Sequence, residues 1–158
     1  MATLKGGGGT SRTLRELARR LGNPKTLRVG FLEGATYPAK SEGGKGGQSV
    51  AMVAAAQNFG TKRIPKRPFF SNMVEAKKAS WGPALAKLVT EHGYDANQAL
   101  NLMGEGIVGQ LKESIVNTND PPLADATVER KGFAKPLVDT GHMLNSAAYD
   151  VQDDGTAS

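Results

Sequence analysis

Asn58-Phe59-Gly60-Thr61-Lys62-Arg63-Ile64-Pro65-Lys66-Arg67-Pro68-Phe69-Phe70 separates an alanine-rich run from the first long helical pattern of the chain. Pro65 and Pro68 lack an N–H, and each pushes the residue before it, Ile64 and Arg67, toward extended backbone. Gly60 permits a sharp exit from the preceding segment. The stretch reads as a stiff connector carrying Lys62, Arg63, Lys66, Arg67 and three phenylalanines. Nothing in it forms a catalytic set; it suits a surface that docks a partner. One of Phe69 and Phe70 is expected in the core, closing the sheet over the long helices.

Upstream, Ser49 is placed to cap an alanine-rich helix over 50–58, ended by Gly60. Its small side chains allow close packing on a sheet or another helix. Downstream, Asn72 and Glu75 form a capping-box pattern for a helix whose apolar side is Met73, Val74, Trp81, Leu85, Leu88 and Val89. Gly82-Pro83 predicts a kink or break, and His92-Gly93 closes it. Asp95 and Gln98 open the next helix, whose stripe is Leu100, Met103, Ile107, Leu111 and Ile115. Gly104, Gly106 and Gly109 lie in that helix at about 1 kcal/mol each against alanine, a cost that makes sense where a neighbouring backbone approaches closely.

Toward the N-terminus, residues 26–32 alternate, with Leu27, Val29 and Phe31 on one face, as a half-buried strand does. Before it, Ser11 is expected to cap a short helix with Leu14, Leu17, Ala18 and Leu21 at helical spacing and Arg12, Arg15, Arg19 and Arg20 on other faces. Residues 1–10, with four consecutive glycines, are expected to form a flexible arm. Residues 33–48 are glycine-rich without hydrophobic period and read as a mobile loop or an extended hairpin tip. Beyond Pro121-Pro122, Asp125 is placed to cap a short helical turn over 126–131. Pro136-Leu137-Val138 reads as extended, and Thr140 as the cap of a helix with Met143, Leu144 and Ala147. Residues 148–152 read as a closing strand, and 153–158 as a frayed end. The sum is an α+β fold: a mixed or antiparallel sheet of three to four strands packed against two long helices, as a single domain over 11–152.

The 158 residues carry no cysteine, which excludes a disulfide framework and thiolate chemistry. Nothing approaches the roughly 18 apolar residues of a membrane span. The start is glycine-rich rather than apolar, so a soluble protein made in the cytoplasm is expected. Net charge is +5, unevenly placed. The front carries Lys5, Arg12, Arg15, Arg19, Arg20, Lys25 and Arg28 against Glu16; the rear is rich in aspartate. Such polarity permits phosphate contact through the front, or head-to-tail contact between copies.

Catalytic and cofactor patterns fail on inspection. Gly34-Ala35-Thr36-Tyr37-Pro38-Ala39-Lys40-Ser41 ends in Lys-Ser like a phosphate loop, but Ala39 stands where glycine belongs and Pro38 removes a donor. His92 reads as a helix-end partner of the dipole and His142 as a solvent-facing residue; neither lies in a metal-ligand pattern. Ser146, His142 and Asp139 could be combined on paper into a triad, yet no nucleophile-elbow pattern surrounds any serine. No enzyme activity, metal or cofactor is expected.

The order of features resembles the tailed-bacteriophage neck proteins, the tail-completion or head–tail joining members of the virion-morphogenesis proteins. Asn58-Phe59-Gly60-Thr61 followed by Ile64-Pro65-x-Arg67-Pro68-Phe69-Phe70 is similar to that family's "NEFGT…IPARPF(F/L)" signature. Ser114-Ile115, Pro121-Pro122-Leu123, Thr127 and Arg130-Lys131-Gly132 follow in order. Pro136-Leu137-Val138-Asp139-Thr140-Gly141-His142-Met143-Leu144-Asn145-Ser146 is similar to "PLIDTGxLxxSI", and Tyr149-Asp150-Val151 to its closing strand. The resemblance spans residues 27–151. It departs at Gln57-Asn58, Lys66, Ala147 and the glycine loop at 43–47. It implies a non-enzymatic virion protein of the neck, forming a ring of six or twelve copies between the portal–adaptor complex and the tail tube, beside other neck and tail proteins. Phe59, Arg63, Ile64, Pro65, Arg67, Pro68, Phe69 and Phe70, with Lys40, Lys45, Arg12 and Arg19, are the expected interface residues. The alternative is a small basic nucleic-acid-binding accessory protein using residues 12–28, and nonspecific contact with DNA passing through the channel is compatible with either.

Overall fold

The computed structural model describes residues 7–38, 47–123, 125, 129, 137 and 141–154. Its elements in chain order are α1 (Gly7–Leu21), β1 (Lys25–Phe31), α2 (Val50–Phe59), α3 (Phe69–Glu91), α4 (Ala96–Asn117), α5 (His142–Asn145) and β2 (Ala147–Asp153). The class is α+β. Among the described residues the sheet has two antiparallel strands, β1 and β2, where three to four were expected. Residues 33–38 and 47–49 contribute only an isolated bridge, Thr36 to Ser49, with Tyr37 N–H donating to the Gln48 carbonyl at 2.9 Å. That joins the two ends of the glycine-rich segment; residues 39–46 lie outside the described residues.

Strand alternation sets the two faces of the sheet. Leu27, Val29 and Phe31 turn inward opposite Val151, Tyr149 and Ala147; Thr26, Arg28 and Gly30 turn outward opposite Gln152, Asp150 and Ala148. Lys25 pairs with Asp153 at one end, and Thr26 Oγ1 donates to the Asp154 carboxylate at 2.6 Å. Asp153 and Asp154 thus tie down the end of the sheet rather than fraying; 155–158 lie outside the described residues.

α4 is the central element. Ala99, Met103, Ile107, Leu111 and Ile115 recur every four residues, and all are buried. Met103, Ile107, Leu111 and Ile115 pack with Val50 and Ala54 of α2, Phe69 and Met73 of α3, Leu137, Met143 and Ala147. Phe31 meets Phe69 edge-to-face, centroids 6.4 Å apart. The Asp95 carboxylate accepts from Gln98 N–H at 2.9 Å, as its spacing predicts. Of the three helix glycines, only Gly104 is closely approached: a Cβ there would lie 2.4 Å from the Tyr149 ring, while Gly106 and Gly109 face open space.

Several local expectations are corrected. α1 begins at Gly7, so its first turn takes in residues expected to be a flexible arm. α3 runs unbroken through Gly82-Pro83, because Pro83 is exposed while Trp81, Leu85 and Leu88 hold the helix on its neighbours. The last helix starts after Gly141 at φ +68 rather than at Thr140, and Ala147 belongs to β2. The short turn expected over 126–131 falls almost wholly outside the described residues.

Candidate interaction surface

The connector between α2 and α3 is held from inside. Gly60, at φ +76, exits α2 sharply, and a Cβ there would lie 3.0 Å from the Lys66 nitrogen. Thr61 folds the next residues into a turn: its hydroxyl accepts from Arg63 N–H at 3.2 Å and Ile64 N–H at 3.0 Å, and its own N–H donates to the Ile64 carbonyl at 2.8 Å. The chain then runs back past α2, where Arg67 N–H donates to the Gln57 carbonyl at 2.8 Å.

Two buried polar side chains fix this path. Asn58 Oδ1 accepts from both Phe70 N–H and Ser71 N–H at 3.0 Å, and its Nδ2 donates to Ser71 Oγ at 2.8 Å. Pro68 precedes the first helical residue of α3 and offers no side-chain cap, so Asn58 satisfies free N–H groups there from the end of another helix. Asn72 and Glu75, the expected capping box, lie inside α3 instead. The Ser114 hydroxyl donates to the Phe69 carbonyl at 2.7 Å, tying the same turn to α4.

Arg67 is the second. It was expected at an interface between chains, but it is 4% exposed. Its Nε donates to the Pro121 carbonyl at 2.8 Å, Nη2 to the Pro122 carbonyl at 3.4 Å and Nη1 to Gln57 Oε1 at 3.3 Å. Burial lowers its pKa from the ordinary arginine value. Arg67 is therefore a clamp inside the chain. Its three neutral acceptors come from two segments, α2 and residues 121–122, which charge and proline spacing do not reveal.

The other expected interface residues divide by exposure. Phe59 is 70% exposed, and Arg63 and Pro65 are exposed; Ile64 and Pro68 are half-buried. Phe69 is fully buried, and Phe70 is half-buried on the wall of an apolar groove. Arg12 and Arg19 are exposed on α1, remote in sequence from the connector. Arg19 is held by Glu16 at 2.9 Å, and Arg20 by the same carboxylate at 3.0 Å. Lys40 and Lys45 lie outside the described residues.

Two features escape a reading of the connector alone. Met52, 70% exposed, stands seven residues before Phe59, so both lie on one outward face of α2 with Ala55 between them. The uniformly apolar run Val50–Ala56 of α2 does not show which side faces out. The second is the groove, about 360 Å³, between β1, α3 and α4. Trp81 stands in its wall with the indole N–H donating to Gln110 Oε1 at 2.9 Å.

His142 also departs from expectation. Its Nε2 lies 2.8 Å from the Thr36 carbonyl, and its ring packs on Tyr37 at 4.7 Å, so it links α5 to residues 36–37 beside the Thr36–Ser49 bridge. Among the described residues, no group of three His, Asp or Glu side chains could hold a metal ion, and no helix is long and apolar enough to cross a membrane. Compared with family models, curated proteins and solved structures, the chain finds no match.

Proposed function

We propose that the chain is a structural virion protein of the neck of a tailed bacteriophage, forming a ring that joins the head, through the portal–adaptor complex, to the tail. The observation that carries this reading is the ordered run of motifs from Asn58-Phe59-Gly60-Thr61 to Tyr149-Asp150-Val151. Its described parts fall on one packed unit, the end of α2, the connector, the start of α3, α5 and β2. The surface this unit presents also supports it. Met52 and Phe59 project beside the exposed Lys62, Arg63 and Lys66, a combination of apolar anchors and cations suited to docking on protein. In the assembled virion the partners are copies of the chain itself and other neck and tail proteins.

The test is removal of the gene from its phage, followed by imaging of the particles. Full heads and finished tails left unjoined are the expected outcome. Tails still joined to full heads in its absence refute the reading. A second reading, nonspecific nucleic-acid contact, draws on the exposed arginines of α1. It predicts DNA binding that weakens steeply with salt, and flat or negligible binding removes it. The tie of Arg19 and Arg20 to Glu16 leaves fewer free cations for that role.

A further inference from the structure

We infer that α1 of one copy docks its leucine stripe into the groove between β1, α3 and α4 of a second copy. The inference concerns self-association alone and is tested separately from the head–tail reading. The groove is walled by Leu27 and Val29 of β1, Trp81 and Leu85 of α3, and Leu100 and Ile107 of α4. Among the described residues no charged side chain lines it. At about 360 Å³ it could hold on the order of ten waters, yet it offers them few polar partners. Its fitting occupant is apolar.

α1 carries such a surface. Leu14, Leu17, Ala18 and Leu21 fall within an arc of about 100° on the helix, and Arg12, Arg15, Arg19 and Arg20 lie outside that arc. Leu14 is 61% exposed and Leu21 39%, so the stripe is left largely uncovered by its own chain. The helix ends instead near the α3–α4 turn, where Arg20 Nη1 lies 3.8 Å from the position of a Cβ on Gly93. Only Gly22, Asn23 and Pro24 join it to β1.

Two features of the surfaces favour a second copy over another occupant. Stripe and groove lie on the same chain, so they are present in equal number. Both are uncharged, so docking leaves the arginines in solvent and buries no unpaired charge. Because they are different surfaces, the contact is heterologous: each copy offers a stripe to one neighbour and a groove to the next, which builds a ring or a filament.

The absence of native cysteine makes cross-linking selective. Leu14→Cys removes an exposed side chain, and Gly82→Cys places a thiol on the groove wall where a Cβ meets nothing within 4 Å. When the two singly substituted proteins are mixed and oxidised, the expected product is the mixed dimer, in excess over either homodimer. Trp81, the only tryptophan, supplies a second readout on the unmodified chain: its emission shifts to the blue as concentration rises. The double variant Leu14→Asp/Leu21→Asp abolishes that shift without lowering the unfolding temperature. Absence of the mixed dimer, or emission independent of concentration, overturns the inference. So does a doubly substituted chain that cross-links only within itself, which would make α1 a strap over its own groove.

Discussion

Replacing Asn58 by alanine tests how α3 begins. The substitution removes the acceptor shared by Phe70 N–H and Ser71 N–H and the donor to Ser71 Oγ. Loss of a helix cap costs about 1 kcal/mol. Ser71 is exposed, so water can replace its lost partner, but Phe70 is half-buried and its N–H is poorly reached. An unsatisfied buried donor adds about 1–3 kcal/mol, for a total of roughly 2–4 kcal/mol. In a chain of this length that lowers the melting temperature by roughly 5–15 °C. Urea unfolding followed by Trp81 fluorescence and by circular dichroism measures it. Asn58→Asp keeps the acceptor and places a negative charge at a helix N-terminus, so at neutral pH it loses less than Asn58→Ala. Asn72→Ala, at the position local sequence rules single out as the cap, changes stability by no more than about 0.5 kcal/mol. If Asn72→Ala costs as much as Asn58→Ala, or Asn58→Ala costs under about 0.5 kcal/mol, the remote cap is refuted.

The clamp makes Arg67→Lys a severe change, about 2–3 kcal/mol in the same assay, because one ammonium cannot span the acceptors of the guanidinium fork. Gly104→Ala destabilises by about 1–3 kcal/mol through collision with Tyr149, whereas Gly106→Ala and Gly109→Ala each stabilise by up to about 1 kcal/mol; thermal unfolding of the three variants separates them. The Glu16 pKa lies below its ordinary value of 4.5, chiefly through the hydrogen bond from Arg19 and then that from Arg20. Its contribution to α1 is therefore complete above pH 4.5 and is lost as pH falls through the lowered value. Acid titration of helical circular dichroism should show this step, and Glu16→Gln should remove it.

The elements most legible in the sequence are those whose cause is local. The α4 stripe repeats on one element, and its cap Asp95 lies three residues from the N–H it satisfies. The alternation of β1 and the closing strand is equally plain, but their pairing joins residues more than 115 positions apart, and nothing in either strand names the other. Among the described residues the sheet stops at two strands, because residues 33–38 and 47–49 form one isolated bridge with each other instead of adding to β1 or β2. Pro83 shows the opposite failure. A local rule reads a break, but the proline faces solvent while the residues around it pack, and tertiary contact overrides the propensity. Asn58 and Arg67 are hidden for a related reason: their partners lie 10 to 55 residues away, and a polar or charged residue beside prolines reads as surface until those partners are placed.

The connector was read as a docking surface because it is cationic and aromatic, and the structure divides those residues into two groups. Arg67, Phe69 and Asn58 turn inward; Phe59, Lys62, Arg63 and Lys66 remain outside. The inward group determines how well the outward group can act. Arg67 makes no ion pair among the described residues, so its desolvation is offset by hydrogen bonds to neutral acceptors on α2 and on residues 121–122, and those bonds form only if all three segments keep their places. Asn58 likewise couples the end of α2 to the first turn of α3. Phe59 is thus flanked by a residue fixed in the core and by a glycine whose conformation no larger side chain could adopt without strain. An exposed anchor so held loses little freedom when it docks, and more of its contact energy is available for association. The stiffness suggested by the two prolines therefore comes mainly from what the connector buries.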